Sequence, residues 1–318
     1  MISSTRFLVV CFSGIISTYI PDLLTSSAVD GPRHAILQVS ISSSCFPNII
    51  LKLRTVDLLV NVITSIPFSK VSINFFLEDT GKFALENALD FIALGFNPEK
   101  TKIIINTRNI KKLYPIAAQV AKKINFSNTK AVFGFTNDTN VGMIFYTSLQ
   151  SAPCFIEDLP VLIPLGVDQD PHFRITRDVA PKINKPKPAL IHNIMIPSLT
   201  GPGGKMSASD EKSTIYTTDS PEVVKKKINK YGFSGGQVDI EKHRELGGNP
   251  DIDVSFQYLR IFFEPDDEKL KKIYEDYKSG KMLTGELKSI LIEKINSFLK
   301  IHQQKREEAK KNLSKFLL

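Results

Sequence analysis

Apolar residues recur at helical spacing between residues 80 and 94, where Phe83, Ala84, Ala88, Phe91 and Ile92 share one face and Gly95 ends the pattern. The β-branched run Lys102–Asn106 then predicts a short buried strand. Leu113, Ala117, Val120 and Ile124 restore the helical period over 110–124, with Pro115 near the start of that helix. Val161–Val167 predicts a second apolar strand, which ends at the turn Asp168-Gln169-Asp170, and Arg174–Ala180 begins another helix. Strands alternating with helices predict an α/β fold: a parallel sheet with helices on both faces. In such sheets ligands sit beyond the carboxyl ends of strands, where the Asp168-Gln169 turn falls.

Beyond Ser209 the pattern is helical throughout. A helix is predicted over Asp219–Ile228, with Pro221 early and lysines at 225, 226 and 227. A second covers Asp266–Tyr277, with Leu270, Ile273, Tyr274 and Tyr277 on one face and Gly280 past its end. A third covers Thr284–Leu317, with Leu287, Leu291, Ile295 and Phe298 in one stripe and Lys and Glu opposite. A helical region of roughly 100 residues, an ordinary domain size, thus follows the α/β part.

Residues 1–73 differ from the rest. They are rich in Ser, Ile, Val and Leu, and their formal charges are confined to Arg6, Asp22, Asp30, Arg33, Lys52, Arg54, Asp57 and Lys70. The apolar run Phe7–Ile16 has only Arg6 as a basic flank, which is poor for a secretory signal. No run reaches the length of a membrane span, so a cytoplasmic protein without membrane association is expected. An apolar fraction of 42% with 23% charged residues is that of a globular chain. The net charge of +8 and pI near 9.2 permit a polyanionic partner. Cys11, Cys45 and Cys154 have neither metal spacing nor a disulfide framework, and Cys154 is expected to be a buried, inert thiol.

Chemistry concentrates in Gly203-Gly204-Lys205-Met206-Ser207-Ala208-Ser209. Glycines and the Gly201-Pro202 turn permit backbone angles other residues avoid. Lys205 offers a compact point charge, and the two serines offer hydroxyl donors, a set suited to a polyphosphate. The run is not a Walker A element: Leu199 stands where that pattern needs its first glycine, and Met206 where it needs Ser or Thr. Lys205–Ser209 does resemble the KMSKS signature of class I aminoacyl-tRNA synthetases, spelled KMSAS. Upstream stands Leu165-Gly-Val-Asp168-Gln169-Asp170-Pro171-His172-Phe173-Arg174-Ile-Thr-Arg177-Asp178. Downstream stand Phe233-Ser-Gly-Gly236 and Gly247-Gly-Asn-Pro-Asp251-Ile-Asp253-Val-Ser-Phe256. In this order and spacing they resemble the eukaryotic and archaeal tryptophanyl-tRNA synthetases over residues 74–318. In the related tyrosyl enzymes an Arg or Lys typically follows the Asp-Gln pair, whereas Asp170-Pro171 follows it here.

The resemblance implies a Rossmann-like catalytic domain over 74–214 and a helical anticodon-binding domain over 215–318, with 1–73 an atypical segment. It implies ATP-dependent formation of tryptophanyl-adenylate and transfer to tRNA(Trp) by a homodimer, with Mg2+ brought in by ATP and no metal site of its own. Lys205, Met206, Ser207 and Ser209 would meet the ATP phosphates, with Lys205 and the serines acting in catalysis. Gln150 and Gln169 would contact the ammonium and carboxylate region of tryptophan, since an amide orients either group without burying a charge. Asp168 either orients that site or caps the start of the following helix. His172 is expected to pack, not to act as a base, and Arg174 and Arg177 to pair with Asp170 or Asp178. Lys288, Lys225, Lys226, Lys227 and Lys230 are candidates for tRNA phosphates. Asp239 follows the Phe-Ser-Gly-Gly element, displaced by one residue from the family's acidic position.

One element of the family pattern has no match. None of the five histidines, His34, His172, His192, His243 and His302, forms the HxGH motif that binds ATP at the first strand-to-helix turn. The family's upstream tyrosine, glutamine and glutamate that read the indole and ammonium have no match before Asn74 either. The alternative reading is therefore a catalytically inactive, synthetase-like tRNA-binding protein, or a gene product whose catalytic amino terminus has been replaced.

Overall fold

The structure, a computed structural model, describes residues 8–10, 36–39, 58–62, 77–99, 101–193, 195–206 and 210–318. Cys11, Cys45, His34, Ser207 and Ser209 lie outside them, as does the Lys205 side chain. The described residues cluster into two compact units: residues up to 193 together with 309–318, and residues 195–308.

In the first unit β1 (Leu8–Val10), β2 (Ile36–Val39), β5 (Val161–Gly166) and β6 (Ala189–Asn193) form one parallel sheet, and β3 (Leu58–Val62) pairs in parallel with β4 (Thr101–Ile105). The expected parallel architecture is present, and strands from the atypical amino-terminal segment take part in it. In β4 the run Ile103-Ile104-Ile105 is buried, as suits a strand covered on both faces. Pro164 lies inside β5, where a missing N–H would break a ladder. The recorded pairing with β2 stops at Leu162, while β6 continues in register to Gly166 opposite Asn193.

Helix α1 (Leu77–Ala93) precedes β4 and α2 (Ile110–Ala121) follows it. Leu113, Ala117 and Val120 of α2 are fully buried, as their spacing predicts. Two further helices, α3 (Phe126–Phe133) and α4 (Val141–Ser151), are not predicted by apolar spacing. Asn125 and Asn140 cap them, accepting from the backbone N–H of Asn128 and Met143. Helix α5 (Asp170–Val179) begins a full turn before the expected start at Arg174, with Pro171 in its first turn, where a missing N–H costs nothing. The core joins Val161, Ile163 and Leu165 of β5 to Phe173, Ile175 and Val179 of α5 and to Phe155. Cys154 is buried among them, and burial pushes its thiol pKa well up, in keeping with an inert group.

The second unit opens with the antiparallel pair β7 (Pro197–Ser198) and β8 (Gly201–Lys205). Helices α6 (Pro221–Tyr231), α7 (Ile240–Leu246), α8 (Val254–Tyr258), α9 (Asp267–Lys278) and α10 (Thr284–Lys310) follow, with a π-helical turn at Leu259–Phe263. Ser220, Asp239, Asp253 and Asp266 cap α6 to α9. Leu287, Leu291, Ile295 and Leu299 form the buried stripe of α10. The helix expected to run to Leu317 stops at Lys310. After Asn312 a short helix, α11 (Leu313–Phe316), returns the chain to the first unit. There the Leu318 N–H donates to Ile103 O at 3.2 Å, and Asn109 Nδ2 donates to Leu318 O at 2.8 Å. Among the described residues no helix is long and apolar enough to cross a membrane.

Candidate active site

Strand β5 delivers the chain into one 3-10 turn, Val167–Gln169, at its carboxyl end, and α5 starts directly after it. Gln150, on the last turn of α4, donates from Nε2 to Gln169 Oε1 at 3.2 Å. Gln150 is 1% exposed, so it is an interior group, not a helix-surface amide. Its Oε1 is buried and has no hydrogen-bond partner among the described residues. A buried carbonyl oxygen without a donor is costly, and an arriving N–H relieves that cost.

Two side-chain bridges lock α4 against α5. Thr147 Oγ1 meets His172 Nδ1 at 3.0 Å, and Ser151 Oγ meets Thr176 Oγ1 at 2.6 Å. The His172 ring packs 4.5 Å from that of Phe133 and 5.5 Å from that of Tyr146. Burial pushes the His172 pKa down to about 4, against the opposing pull of the Asp168 charge. The imidazole is therefore neutral at pH 7 and serves as packing, as expected. Gln169, not Asp168, is the N-cap residue of α5, and Asp168 lies one residue earlier, inside the 3-10 turn. Asp170 pairs with Arg174 and with His192 Nε2, the latter at 2.6 Å. Burial raises the Asp170 pKa, but these two partners outweigh it and hold the carboxyl below its ordinary value. Arg177 donates to the Pro188 carbonyl.

Several polar groups here escape sequence reasoning. Asn193 ends β6 opposite Gly166, is 7% exposed, and its Nδ2 has no partner among the described residues. Asn106, just after β4, has its Oδ1 buried in the same condition. Thr147, Ser151 and Thr176 carry no spacing signal, because they face inward from helices where apolar residues are the usual markers.

In the second unit the lysine–serine run leaves β8. Lys205 is in register with Pro197, and the Met206 N–H donates to Ile196 O at 3.0 Å. The Met206 side chain is buried, so this residue anchors the run. On the far side the Leu199 N–H donates to Ser213 O at 2.9 Å. Backbone from both flanks of the run is thus hung on the β7 segment.

Residues 73–300 match the family described as tRNA synthetases class I (W and Y). The chain belongs to that family. It is 56% identical over 240 residues to the tryptophan–tRNA ligase of Sulfurisphaera tokodaii, covering 76% of this chain and 63% of that one. It is 53% identical over 236 residues to the tryptophan–tRNA ligase of Saccharolobus solfataricus, covering 74% and 62%. This chain therefore spans less than two thirds of the length of these curated relatives. Among solved structures it is similar to the tryptophanyl-tRNA synthetase of Plasmodium falciparum, with 40% identity, a TM-score of 0.72, and coverage of 82% of this chain and 72% of that one. The Giardia lamblia tryptophanyl-tRNA synthetase gives 34%, 0.73, 82% and 73%.

The helical part of the chain is organised around Asp253. Its Oδ2 accepts from the Gly235 N–H at 2.9 Å and from Tyr277 OH at 2.8 Å, and its Oδ1 accepts from the Ser255 N–H at 2.8 Å. This explains the glycines of two sequence motifs. A Cβ on Gly235 would collide with the Asn249 carbonyl, and Gly247, at φ 72°, would collide with that of Lys278. Lys288 is half-buried near this network: burial lowers its pKa while the Asp253 charge opposes the shift. Asp239 is the N-cap of α7, accepting from the Lys242 N–H at 2.8 Å, and its side chain is half exposed. Lys225, Lys226 and Lys230 are exposed on α6. Lys227 departs from them. Its side chain is 11% exposed and its ammonium is 2.7 Å from Asp219 Oδ2, so it is not free to meet phosphate. The reason is helical period: Val224, Lys227 and Ile228 share the buried face of α6.

Proposed function

We propose that this chain activates tryptophan with ATP and passes the tryptophanyl group to tRNA(Trp). The observation that carries the reading is the partnerless, buried Oε1 of Gln150 beside Gln169. An α-ammonium group is the donor that such an oxygen needs, and neutral amides hold it without burying a second charge. Identity of about half the residues to tryptophan–tRNA ligases supports tryptophan as the substrate.

In this reading Gln150 and Gln169 orient the tryptophan ammonium and carboxylate, with Asp168 ordering the same turn. A carboxylate oxygen attacks the α-phosphorus of ATP, the bond to the bridging oxygen breaks, and pyrophosphate leaves. Lys205, Ser207 and Ser209 balance the charge developing on the phosphates, with Met206 fixing the backbone between them. Mg2+ enters with ATP. The terminal adenosine of tRNA then displaces AMP. Lys288, Lys225, Lys226 and Asp239 serve tRNA contacts. The catalytic part is 74–214 and the anticodon-binding part 215–318. Function as a cytoplasmic homodimer belongs to this proposal and is supported by the family resemblance.

Tryptophan-dependent ATP–pyrophosphate exchange tests it. Exchange with tryptophan and not with tyrosine is the expected result. Absence of exchange together with salt-sensitive tRNA binding would replace this reading with that of a tRNA-binding protein.

A further inference from the structure

Residues 101–137 carry seven Lys and Arg side chains and no Asp or Glu. Lys102 is used internally, its ammonium donating to Lys315 O at 2.8 Å. Arg108, Lys111, Lys112, Lys122, Lys123 and Lys130 are exposed, and none of these six makes a side-chain hydrogen bond or ion pair among the described residues. Four of them belong to α2 and its end, where Lys122 is the C-cap with helical backbone and the Lys123 N–H donates to Val120 O at 2.9 Å. Eleven residues make about three turns, so Lys111 and Lys122 fall on one stripe and Lys112 and Lys123 on the next, each pair about 16 Å apart along the axis. The opposite face, Leu113, Ala117 and Val120, is buried. Through it α2 packs on Phe145, Leu149 and Ala152, so it backs onto α4, the helix that carries Gln150.

A merely solvated helix face mixes its signs, because opposite charges one turn apart stabilise it. Helix α9 does so, with Lys272 paired to Asp276. Helix α2 does not. Its first turn holds Lys111 and Lys112, which oppose the helix dipole, and no acid to offset them. A polyanion on the outer face turns that cost into attraction. A membrane surface takes up a helix whose apolar face is free to enter it, whereas that of α2 is used in the core. A single polyphosphate is compact, whereas the lysine rows span about 16 Å. A line of backbone phosphates satisfies both conditions.

We propose that the outer face of α2 is an RNA-binding surface. It holds duplex phosphates of the acceptor arm while the terminal adenosine enters the site at Gln150 and Gln169. Such contacts position the arm and read no bases. The identity of the RNA rests on the reading given above; the surface itself rests on charge and exposure.

Filter binding of the full chain over a salt series tests it, with two hairpin RNAs that reproduce the acceptor arm and the anticodon arm of tRNA(Trp). The variant Lys111→Gln/Lys112→Gln/Lys122→Gln/Lys123→Gln should bind the acceptor hairpin about tenfold or more weakly, with the slope of log affinity against log salt reduced by about two or more. Its affinity for the anticodon hairpin and its tryptophan-dependent ATP–pyrophosphate exchange, which needs no RNA, should match the parent's. The corresponding four Lys→Arg changes should keep acceptor-hairpin binding. Should the glutamine variant fail to fold, Lys111→Gln/Lys122→Gln decides. Parental affinity and slope in the deciding variant overturn the proposal, as does a parent that does not bind the acceptor hairpin. Sedimentation of the parent with phosphatidylglycerol–phosphatidylcholine vesicles, lost in the glutamine variant while hairpin binding is kept, overturns it in favour of a membrane surface. A parent without exchange whose hairpin binding still depends on the four lysines upholds the RNA surface and removes the ligase reading.

Discussion

Gln150 and Gln169 are joined by a 3.2 Å hydrogen bond that uses the amide of one and the carbonyl of the other, leaving Gln150 Oε1 buried with no partner among the described residues. The first amide comes from a helix end and the second from the turn beyond β5, so sheet and helix together set their spacing. Leaving a buried acceptor unmade costs about 1–3 kcal/mol. Such a cost is tolerated where a ligand removes it.

That trade-off gives the first prediction. Gln150→Leu deletes the partnerless carbonyl while keeping most of the volume. Its Tm should equal or exceed the parent's, while tryptophan affinity falls at least about tenfold, as expected when a polar ligand group loses its buried partner. Thermal melts beside fluorescence titration with tryptophan check both. A large drop in Tm with tryptophan affinity preserved would make Gln150 a scaffold residue.

Lys205 should act through the phosphates alone. Lys205→Ala is expected to lower the ATP–pyrophosphate exchange rate about a hundredfold or more, the usual cost of one electrostatic contact to a transition state. Its tryptophan dissociation constant without ATP should stay near the parent's, since the tryptophan contacts are assigned to Gln150 and Gln169. Gln169→Ala should invert the pattern, losing tryptophan affinity first. Equal losses of tryptophan affinity and exchange rate in Lys205→Ala would mean that the lysine does not serve the phosphates.

How much was legible in the chain depends on which side chains face inward. Ile103–Ile105 and Val161–Leu165 read as strands because buried strands are continuous apolar runs, and α2 reads as a helix because Leu113, Ala117 and Val120 keep the period. Helix α4 is silent to that test: its buried residues are Thr147, Ser148, Gln150 and Ser151, all polar, with Thr147 and Ser151 bonded to α5 and Gln150 to Gln169. Its start was marked only by Asn140, a cap. Helix α8 is buried on all sides from Val254 to Tyr258, so no face stands out. The glutamine pair came through the family motif, while Asn106 and Asn193 had no motif to mark them. In α6 three like charges in a row hid the Val224–Ile228 face that takes Lys227 inside.

The lysine triplet should therefore split by experiment. Lys225→Ala and Lys226→Ala should each reduce the slope of log affinity for tRNA against log salt by about one, as each lost phosphate contact removes one counterion release. Neither should alter the Tm. Lys227→Ala leaves the nearly buried Asp219 carboxylate without its ammonium and should cost about 3 kcal/mol of stability, the scale for breaking one half of a buried pair. Urea denaturation curves and filter binding over a salt series distinguish the two classes. A Lys227→Ala protein of parental stability would show the pair to be energetically idle.

His172 makes a pH-dependent contribution whose sign is opposite to that of a paired histidine. Burial lowers its folded-state pKa from 6.5 to about 4, against the Asp168 charge, so the native protein resists protonation there and the unfolded chain does not. Stability rises with pH wherever the unfolded state binds more protons. The His172 contribution is therefore fully present above pH 6.5 and is lost as pH falls toward 4, on the order of 3 kcal/mol in all. Asp170 acts lower on the scale. Its folded pKa lies below the ordinary aspartate value despite burial, because His192 and Arg174 favour the carboxylate, so its contribution is lost as pH falls through that lowered pKa. His172→Phe keeps the ring contacts with Phe133 and Tyr146 and removes the titration. Its stability should change less between pH 6.5 and 4.5 than the parent's, measured by urea unfolding at each pH. Because Thr147 loses a partner in this variant, a uniform loss at all pH values is expected beside the flatter slope. Parallel pH profiles for parent and variant would mean that the imidazole titrates in the native protein as it does in the unfolded chain.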